Sequence, residues 1–338
     1  GFLPFDRYME LALYAPGLGY YAGGSAKIGA AGDFVTAPSM SRLFGRCLAR
    51  QVGEVLAASA PQVLEFGAGT GDLAADLLLE LGDACAGYAI VELSPDLLER
   101  QRATLAKRAP ESLDRVRWLD RLPDSFRGCV VANEVLDAMP VKLLARVSGV
   151  WHERGVAWHD GLVWADQPTP LRPPTEVDGP HDYLTEIHPQ AEAFVRTLAD
   201  RLTQGAALFI DYGFPEAEYY HPQRHMGTLM CHQAHRADGN PLASLGLKDI
   251  TAHVNFTGIA LAAQDAGWPT LGYTTQARFL LNCGLVRLLE TTSVAQRAHE
   301  LKLVNDHEMG ELFKVLLLSR SDDWEPLGFA TGDRSHTL

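Results

Sequence analysis

The chain has 338 residues, of which 47% are hydrophobic and 21% are charged, as in an ordinary globular protein. Its 29 lysines and arginines against 42 aspartates and glutamates leave a formal net charge of −13, which argues against a nucleic-acid partner. Its five cysteines form no CxxC pair, which favours a reducing compartment, and no apolar run is long enough to span a membrane.

Residues 1–60 are predicted to form an N-terminal helical region. FDRYMELALY and SRLFGRCLARQVGEVLAA have the apolar periodicity of amphipathic helices, and the Gly-rich PGLGYYAGG between them has the composition of a turn. The chain begins at Gly1 rather than Met, which is compatible with the removal of an earlier targeting segment.

Residues 61–320 are predicted to form one α/β domain. Short apolar runs alternate with helical stretches, in the order QVLEF, GDLAADLLLEL, YAIVEL, PDLLERQRATLAKR, VRWL and CVVANEV. This alternation is typical of a doubly wound, Rossmann-like sheet, here of about seven strands. We expect two insertions, an antiparallel hairpin or meander within about 141–180 and an irregular segment at about 214–252. Residues 321–338 are expected to be a loosely held tail.

The most informative segment is VLEFGAGTGDL, in which an apolar strand leads into Gly67, Gly69 and Gly71 and a helix follows directly. In a dinucleotide site the third glycine follows the second by three residues, whereas the interval here is two. Glu65, just before the loop, would repel a pyrophosphate but suits a ligand that carries an ammonium and a sulfonium group. The segment therefore predicts an S-adenosylmethionine site.

Glu92 supports the same prediction. It ends the next strand, YAIVEL, about 20 residues beyond the glycine loop, where a carboxylate can accept hydrogen bonds from both ribose hydroxyls. The alternative, a solvated acid at a strand end, would be plausible for a lone glutamate.

Polar side chains also follow the fourth and fifth strands of the predicted sheet. GCVVANEVLDAMPV places Asn133, Glu134 and Asp137 at one strand end, and IDYG places Asp211 and Tyr212 at the next. Because this edge lines the ligand crevice of an open α/β sheet, Glu134 and Asp137 are the candidate catalytic residues, able to hold an amine or guanidinium. The alternative is that Asp137 caps a turn and Glu134 faces water.

Histidines in the second insertion admit two interpretations. His225, Cys231, His232 and His235 resemble a metal constellation but lack a second well-spaced ligand pair, so we expect no metal. Candidate substrate-binding residues come instead from the strand ends and from DITAHVNF, namely Asp211, Tyr212, His253 and Asn255.

Six segments, taken in chain order, resemble the MidA family of class I methyltransferase-fold proteins. They are GAAGDFVTAPSMSRLFGR, VLEFGAGTGDL, VVANEVLDAMPV, FIDYG, GTLMCH and DITAHVNF, and the resemblance covers about residues 4–319. It implies the methyltransferase fold with a family-specific insertion and S-adenosylmethionine as cofactor. It also implies that the GDFVT loop closes over the cofactor. One departure is visible: family members often have Glu-Ile or Glu-Val after the TAP element, where this chain has Ser39 and Met40, so a substrate-binding role for that glutamate does not carry over.

The expected cofactor-binding residues combine both arguments. They are Asp33, Phe34, Thr36, Glu65, Gly67, Ala68, Gly69, Thr70, Gly71, Glu92 and Asn133.

A mitochondrial branch of the family dimethylates an arginine of a respiratory complex I subunit and assists assembly of that complex. The resemblance therefore implies protein arginine N-methylation, with a protein partner and a location in the bacterial cytoplasm or, in a eukaryote, the mitochondrial matrix, of which the cytoplasm is favoured. Two alternatives stay open: a methyltransferase for a small molecule, and an assembly chaperone that binds the cofactor without transferring its methyl group. Oligomeric state is not indicated by the residues.

Overall fold

The computed structural model describes residues 1–23, 36–321 and 324–338. Its strands are, in chain order, β1 (Phe2–Pro4), β2 (Gln62–Phe66), β3 (Gly87–Val91), β4 (Val116–Leu119), β5 (Phe126–Asn133), β6 (Lys142–Val147), β7 (Val150–Trp158), β8 (Leu162–Pro168), β9 (Tyr183–Ile187), β10 (Leu202–Phe214), β11 (Met230–Gln233), β12 (Arg236–Asp238), β13 (Asp249–Thr251), β14 (Val254–Asn255), β15 (Thr270–Thr275) and β16 (Phe313–Ser319).

The α-helices of the described residues are α1 (Phe5–Tyr14), α2 (Ala37–Met40), α3 (Arg42–Ala58), α4 (Asp72–Leu81), α5 (Pro95–Arg108), α6 (Pro189–Arg201), α7 (Glu216–Tyr219), α8 (Phe256–Asp265), α9 (Gln276–Asn282), α10 (Leu285–Glu290) and α11 (Val294–Glu300). None of them is long and apolar enough to cross a membrane.

The main sheet has the strand order β15-β16-β10-β5-β2-β3-β4, with the short β14 added beside β10. The pairs among β4, β3, β2, β5 and β10 are parallel, and β16 runs antiparallel to both of its neighbours. One apolar cluster packs α3, α4, α9 and α10 on one face, and another packs α6 and α8 on the opposite face. The predicted seven-strand, doubly wound α/β sheet is confirmed.

The direction of winding reverses between β2 and β5. From β2 the chain builds outward through β3 and β4, and it then returns to β5 on the other side of β2 and continues to β10. At such a switch point the loops that leave two neighbouring strands diverge, which opens a crevice at the carboxyl edge of the sheet. The loop after β2 and the turn after β5 therefore face the same crevice.

A second, antiparallel sheet has the order β1-β7-β6-β9, with β8 paired to β7. The antiparallel pattern predicted for the first insertion is confirmed, and β11, β12 and β13 form a small sheet within the second insertion. The first 60 residues do not form one region. β1 and α1 pack with β7 in an apolar cluster, because Phe5, Met9 and Leu13 form one face of α1. In contrast, α3 covers the main sheet.

The C-terminal residues 324–338 are packed, so the expectation of a loosely held tail is wrong. The Phe329 side chain is only 6% exposed, with its ring centroid 5.6 Å from that of Phe279. The Asn282 amide donates to the carbonyl oxygens of Gly328 and Thr331 at 2.9 Å each. The polar composition of the segment does not reveal this large apolar anchor or the hydrogen bonds that tie the segment to the rest of the chain.

We propose a division into two units. One is the methyltransferase unit, built on the main sheet and including α3 and the packed C-terminus. The other is an accessory lobe made from β1, α1 and the two insertions.

Candidate active site

A cleft of ≈ 700 Å³ opens at the carboxyl edge of the main sheet. Its wall carries four carboxyl side chains, Glu65, Asp72, Glu92 and Glu134, and no Lys, Arg or His from the part of the chain that the structure describes. Of these four, Asp72 is paired with Arg108, with a 2.6 Å distance between Oδ1 and the guanidinium nitrogen. A wall of this composition attracts cations and repels a pyrophosphate group.

The glycine loop follows β2 and ends at α4. Gly67, Gly69 and Gly71 have φ angles of 62°, 53° and 85°, in the left-handed region that glycine adopts without steric cost. Gly67 and Gly69 line the cleft together with Ala68 and Thr70, whereas Gly71 is the N-cap of α4 and does not line it. The loop therefore offers bare backbone to a ligand, and Gly71 shapes the loop rather than contacting the cleft.

Glu65 lies under the loop with only 2% of its surface exposed. Its Oε2 accepts a 2.7 Å hydrogen bond from the Tyr88 hydroxyl, and burial raises the pKa of the carboxyl to about 8. From the sequence alone, Glu65 is expected to carry a full negative charge. In the folded chain a nearby cationic ligand would stabilise the charged form, so binding of that ligand and ionisation of Glu65 are coupled.

Glu92 follows β3, just before α5 begins at a cap formed by Ser94 and Pro95. Its Oε1 accepts a hydrogen bond from the Ser94 amide and its Oε2 accepts one from the Gln101 side-chain amide, both at 2.8 Å. A carboxylate has about four acceptor positions, so two remain for ligand hydroxyls. Gln101 also donates to the Gly69 carbonyl at 3.1 Å and thereby ties Glu92 to the glycine loop.

Glu92→Ala is expected to weaken binding of S-adenosylmethionine by about 1–3 kcal/mol, because the charge-assisted hydrogen bonds to the ligand are lost. Calorimetric titration measures the change. Glu99→Ala is the matched control, since it removes the same charge from the exposed face of α5. Equal affinities in the Glu92 variant and the wild-type protein would remove Glu92 from the site.

The end of β5 places two polar side chains in the cleft wall. Asn133 Nδ2 donates to Glu134 Oε1 at 3.2 Å, while Asn133 Oδ1 is buried, at 8% residue exposure, with no partner among the described residues. Glu134 has a φ of 53°, a strained conformation for a residue with a side chain. Burial and the charge of Asp137 raise the pKa of Glu134 to about 8. These two residues present acceptors beside the glycine loop.

Asp211 holds this turn in place. Its Oδ2 accepts hydrogen bonds from the backbone amides of Val135, Leu136 and Asp137, at 3.2, 2.9 and 3.2 Å. It is 1% exposed and is not part of the cleft wall. The structure therefore gives Asp211 the task of fixing the backbone that carries Glu134, instead of the substrate contact expected from its position at a strand end.

Asp211→Ala should lower the free energy of unfolding by about 2–4 kcal/mol, because three buried backbone amides lose their acceptor. Urea denaturation measures this change. Asp211→Asn retains one side-chain oxygen and is expected to lose less. An alanine variant as stable as the wild-type protein would contradict the role assigned to Asp211.

The remaining candidates lie outside the cleft wall. The Tyr212 hydroxyl donates to Asp137, and burial raises the pKa of Asp137 to about 6. The His253 ring packs 5.3 Å from the Tyr212 ring. Asn255 caps α8, where its Oδ1 accepts from the Gly258 amide at 3.2 Å. None of these four residues lines the cleft.

Two expectations concern the N-terminal loop and a metal. Thr36 lines the cleft, and Asp33 and Phe34 lie outside the described residues. Within the described ranges no group of three or more His, Cys, Asp or Glu could hold a metal ion.

Sequence reasoning missed two tyrosines from the N-terminal segment. Tyr14 and Tyr21 line the cleft, and their hydroxyls donate to the Ala138 carbonyl at 2.9 Å and to Asp249 Oδ1 at 2.8 Å. FDRYMELALY, which ends at Tyr14, predicts only an amphipathic helix, and PGLGYYAGG, which contains Tyr21, predicts only a turn. Nothing local in either segment reveals partners more than 100 residues away.

The fold and the cleft define a class I methyltransferase architecture with a wall suited to a cationic ligand. The profile of a family described as S-adenosyl-L-methionine-dependent methyltransferases matches residues 47–274. The chain belongs to this MidA-like family, as the resemblance implied, and its cofactor is S-adenosyl-L-methionine.

Relatives extend the match over nearly the whole chain. A Burkholderia thailandensis protein bound to S-adenosyl-homocysteine is 51% identical, with a TM-score of 0.95 over 100% of this chain and 93% of that one. The "Protein arginine methyltransferase NDUFAF7, mitochondrial" of Danio rerio is 30% identical over 91% of this chain and 81% of its own length. The Mus musculus protein of the same name is 31% identical over 92% and 80%.

Proposed function

We propose that this methyltransferase acts on arginine side chains of a protein substrate, and that the cleft at the carboxyl edge holds both the cofactor and the acceptor. The cleft supports this proposal because its wall combines the exposed backbone of the glycine loop with four carboxyl side chains. Among the described residues, no Lys, Arg or His lines it. Both S-adenosylmethionine and guanidinium are cations, so one electrostatic environment suits both. The name shared by the curated relatives supports arginine as the acceptor.

The residues of the cleft fit the cofactor. Gly67, Gly69 and Glu92 would hold its adenosine side, and the unpartnered Asn133 Oδ1 offers an acceptor for a ligand N–H group. Bound S-adenosylmethionine supplies a methyl carbon that its positive sulfur activates toward displacement.

Glu134 is the proposed catalytic residue. A guanidinium group is almost always protonated, so its nitrogen must be oriented and must lose a proton as it is methylated. The Glu134 carboxylate would accept hydrogen bonds from two guanidinium N–H groups, align the reacting nitrogen and take up the proton. Asp137, proposed from sequence for the same task, would act through the turn and through Tyr212.

The proposal extends to the protein target and to the compartment. The resemblance to the MidA family supports a respiratory complex I subunit as the protein target. Five buried free cysteines and the mitochondrial relatives are consistent with a reducing compartment, the cytoplasm of a bacterium or the mitochondrial matrix.

Incubation with methyl-labelled S-adenosylmethionine and cell lysate tests this function. We expect label on one protein band, released as methylated arginine after acid hydrolysis, and at least about 100-fold slower labelling with Glu134→Gln. Label in the small-molecule fraction would favour a small-molecule methyltransferase. Absence of label, with cofactor binding intact, would favour an assembly chaperone without transfer activity.

A further inference from the structure

Tyr14 and Tyr21 form a stacked aromatic pair in the cleft. Their ring centroids are 5.5 Å apart and their planes differ by 21°. Both hydroxyls are engaged with the protein, at Ala138 and Asp249, so the polar end of each ring is turned away from the open space. Tyr14 is nevertheless 38% exposed, which means that its ring surface is what the cleft presents to a ligand.

Carboxyl groups surround this pair. Asp249 accepts the Tyr21 hydroxyl, and the charges of Asp249 and Asp137 add to burial in raising the pKa of Tyr14. Glu134 lines the same cleft. An aromatic face backed by negative charge attracts a cation both through the electrostatics of the ring and through the acids behind it.

We infer that the Tyr14–Tyr21 pair is the acceptor subsite, and that it takes a planar alkylguanidinium stacked on the Tyr14 ring with its N–H groups toward Glu134. This inference rests on the proposed function, which it deepens by naming the surface that recognises the acceptor. A planar cation is favoured over an ammonium because guanidinium stacks face to face on an aromatic ring while its edge donates to a carboxylate. Tyr14 is thus a specificity-determining residue.

The test is a calorimetric titration. Butylguanidinium or butylammonium is added to protein saturated with S-adenosyl-homocysteine, and the two affinities are compared. Wild-type protein is expected to bind butylguanidinium more tightly than butylammonium. Tyr14→Leu, which keeps an apolar side chain but removes the ring, should weaken butylguanidinium binding about tenfold. Tyr14→Phe, which keeps the ring and loses only the hydroxyl, should remain within about twofold of wild type.

Affinity for S-adenosyl-homocysteine is the control for folding and should be unchanged in both variants. The inference is overturned if the wild-type protein does not bind butylguanidinium, if Tyr14→Leu binds it as tightly as wild type, or if Tyr14→Phe is as weak as Tyr14→Leu. A failure of the proposed function gives a different result. In that case the wild-type protein labels no arginine in lysate, although the Tyr14–Tyr21 pair binds butylguanidinium. If arginine is labelled with the same KM in wild type and Tyr14→Leu, only the subsite is wrong.

Discussion

Gly69→Val is expected to abolish binding of S-adenosylmethionine, with a rise in Kd of at least about 100-fold. Gly69 lines the cleft, and its backbone has a φ of 53°. A valine at this position would extend into the space proposed for the ligand, and a β-branched residue also strains a left-handed backbone. Calorimetry with the purified variant measures the loss.

Gly82→Val is the matched control for strain. Gly82 has nearly the same φ, 52°, at the end of α4, and a Cβ added there would meet nothing within 4 Å. Both variants should lose stability on heating, because both glycines have a positive φ, but only the Gly69 variant should lose the ligand. Tight cofactor binding by Gly69→Val, or equal loss in Gly82→Val, would refute the placement of the ligand over the loop.

Glu134→Gln should reduce kcat by about 10²–10⁴-fold while cofactor affinity changes little. The glutamine has nearly the same shape and keeps an oxygen for the Asn133 amide, but it cannot take up a proton. Initial rates with labelled cofactor and an arginine-containing substrate protein measure the effect. A variant with near wild-type kcat would show that Glu134 is not the proton acceptor.

The pH profile provides a second measurement of the same residue. The carboxyl must be ionised to act, and its pKa is raised to about 8, so activity should increase with pH below that value and level off above it. Saturating cofactor, as a cation, lowers the pKa of Glu134, so we expect the inflection in kcat/KM for the protein substrate at or below about pH 8 and a plateau above it. The residual activity of Glu134→Gln should lack this inflection. The same inflection in the variant would assign it to another group, such as Glu65.

The parts of the site that the sequence predicts are those set by local structure. Gly67 and Gly69 lie in a short loop with positive φ angles, between the end of β2 and the start of α4. Glu92 follows β3, the neighbouring parallel strand. Parallel strands bring their carboxyl ends to one edge, so these residues could be placed in one cleft without knowledge of any long-range contact.

Side-chain roles at the other strand ends depend on contacts that no local pattern encodes. Asp211 lies at the expected edge, yet its carboxylate turns toward three amides of the turn after β5, 74 to 76 residues earlier in the chain. Asn255 pairs with Phe214 in the sheet, and its side chain caps α8 instead of facing the cleft. Tyr14 reaches the cleft from the accessory lobe. Gln101, buried on a helix face, bonds Glu92 and the glycine loop. Only the assembled fold reveals these two residues.

We expect the carboxyl-lined cleft to bind a positively charged methyl donor and not a dinucleotide. Parallel calorimetric titrations with S-adenosylmethionine and with a nicotinamide dinucleotide, on wild-type protein and on Gly69→Val, distinguish the two ligands. We predict binding of S-adenosylmethionine to the wild-type protein alone and no binding of the dinucleotide to either. Heat from the dinucleotide together with none from S-adenosylmethionine would contradict the claim.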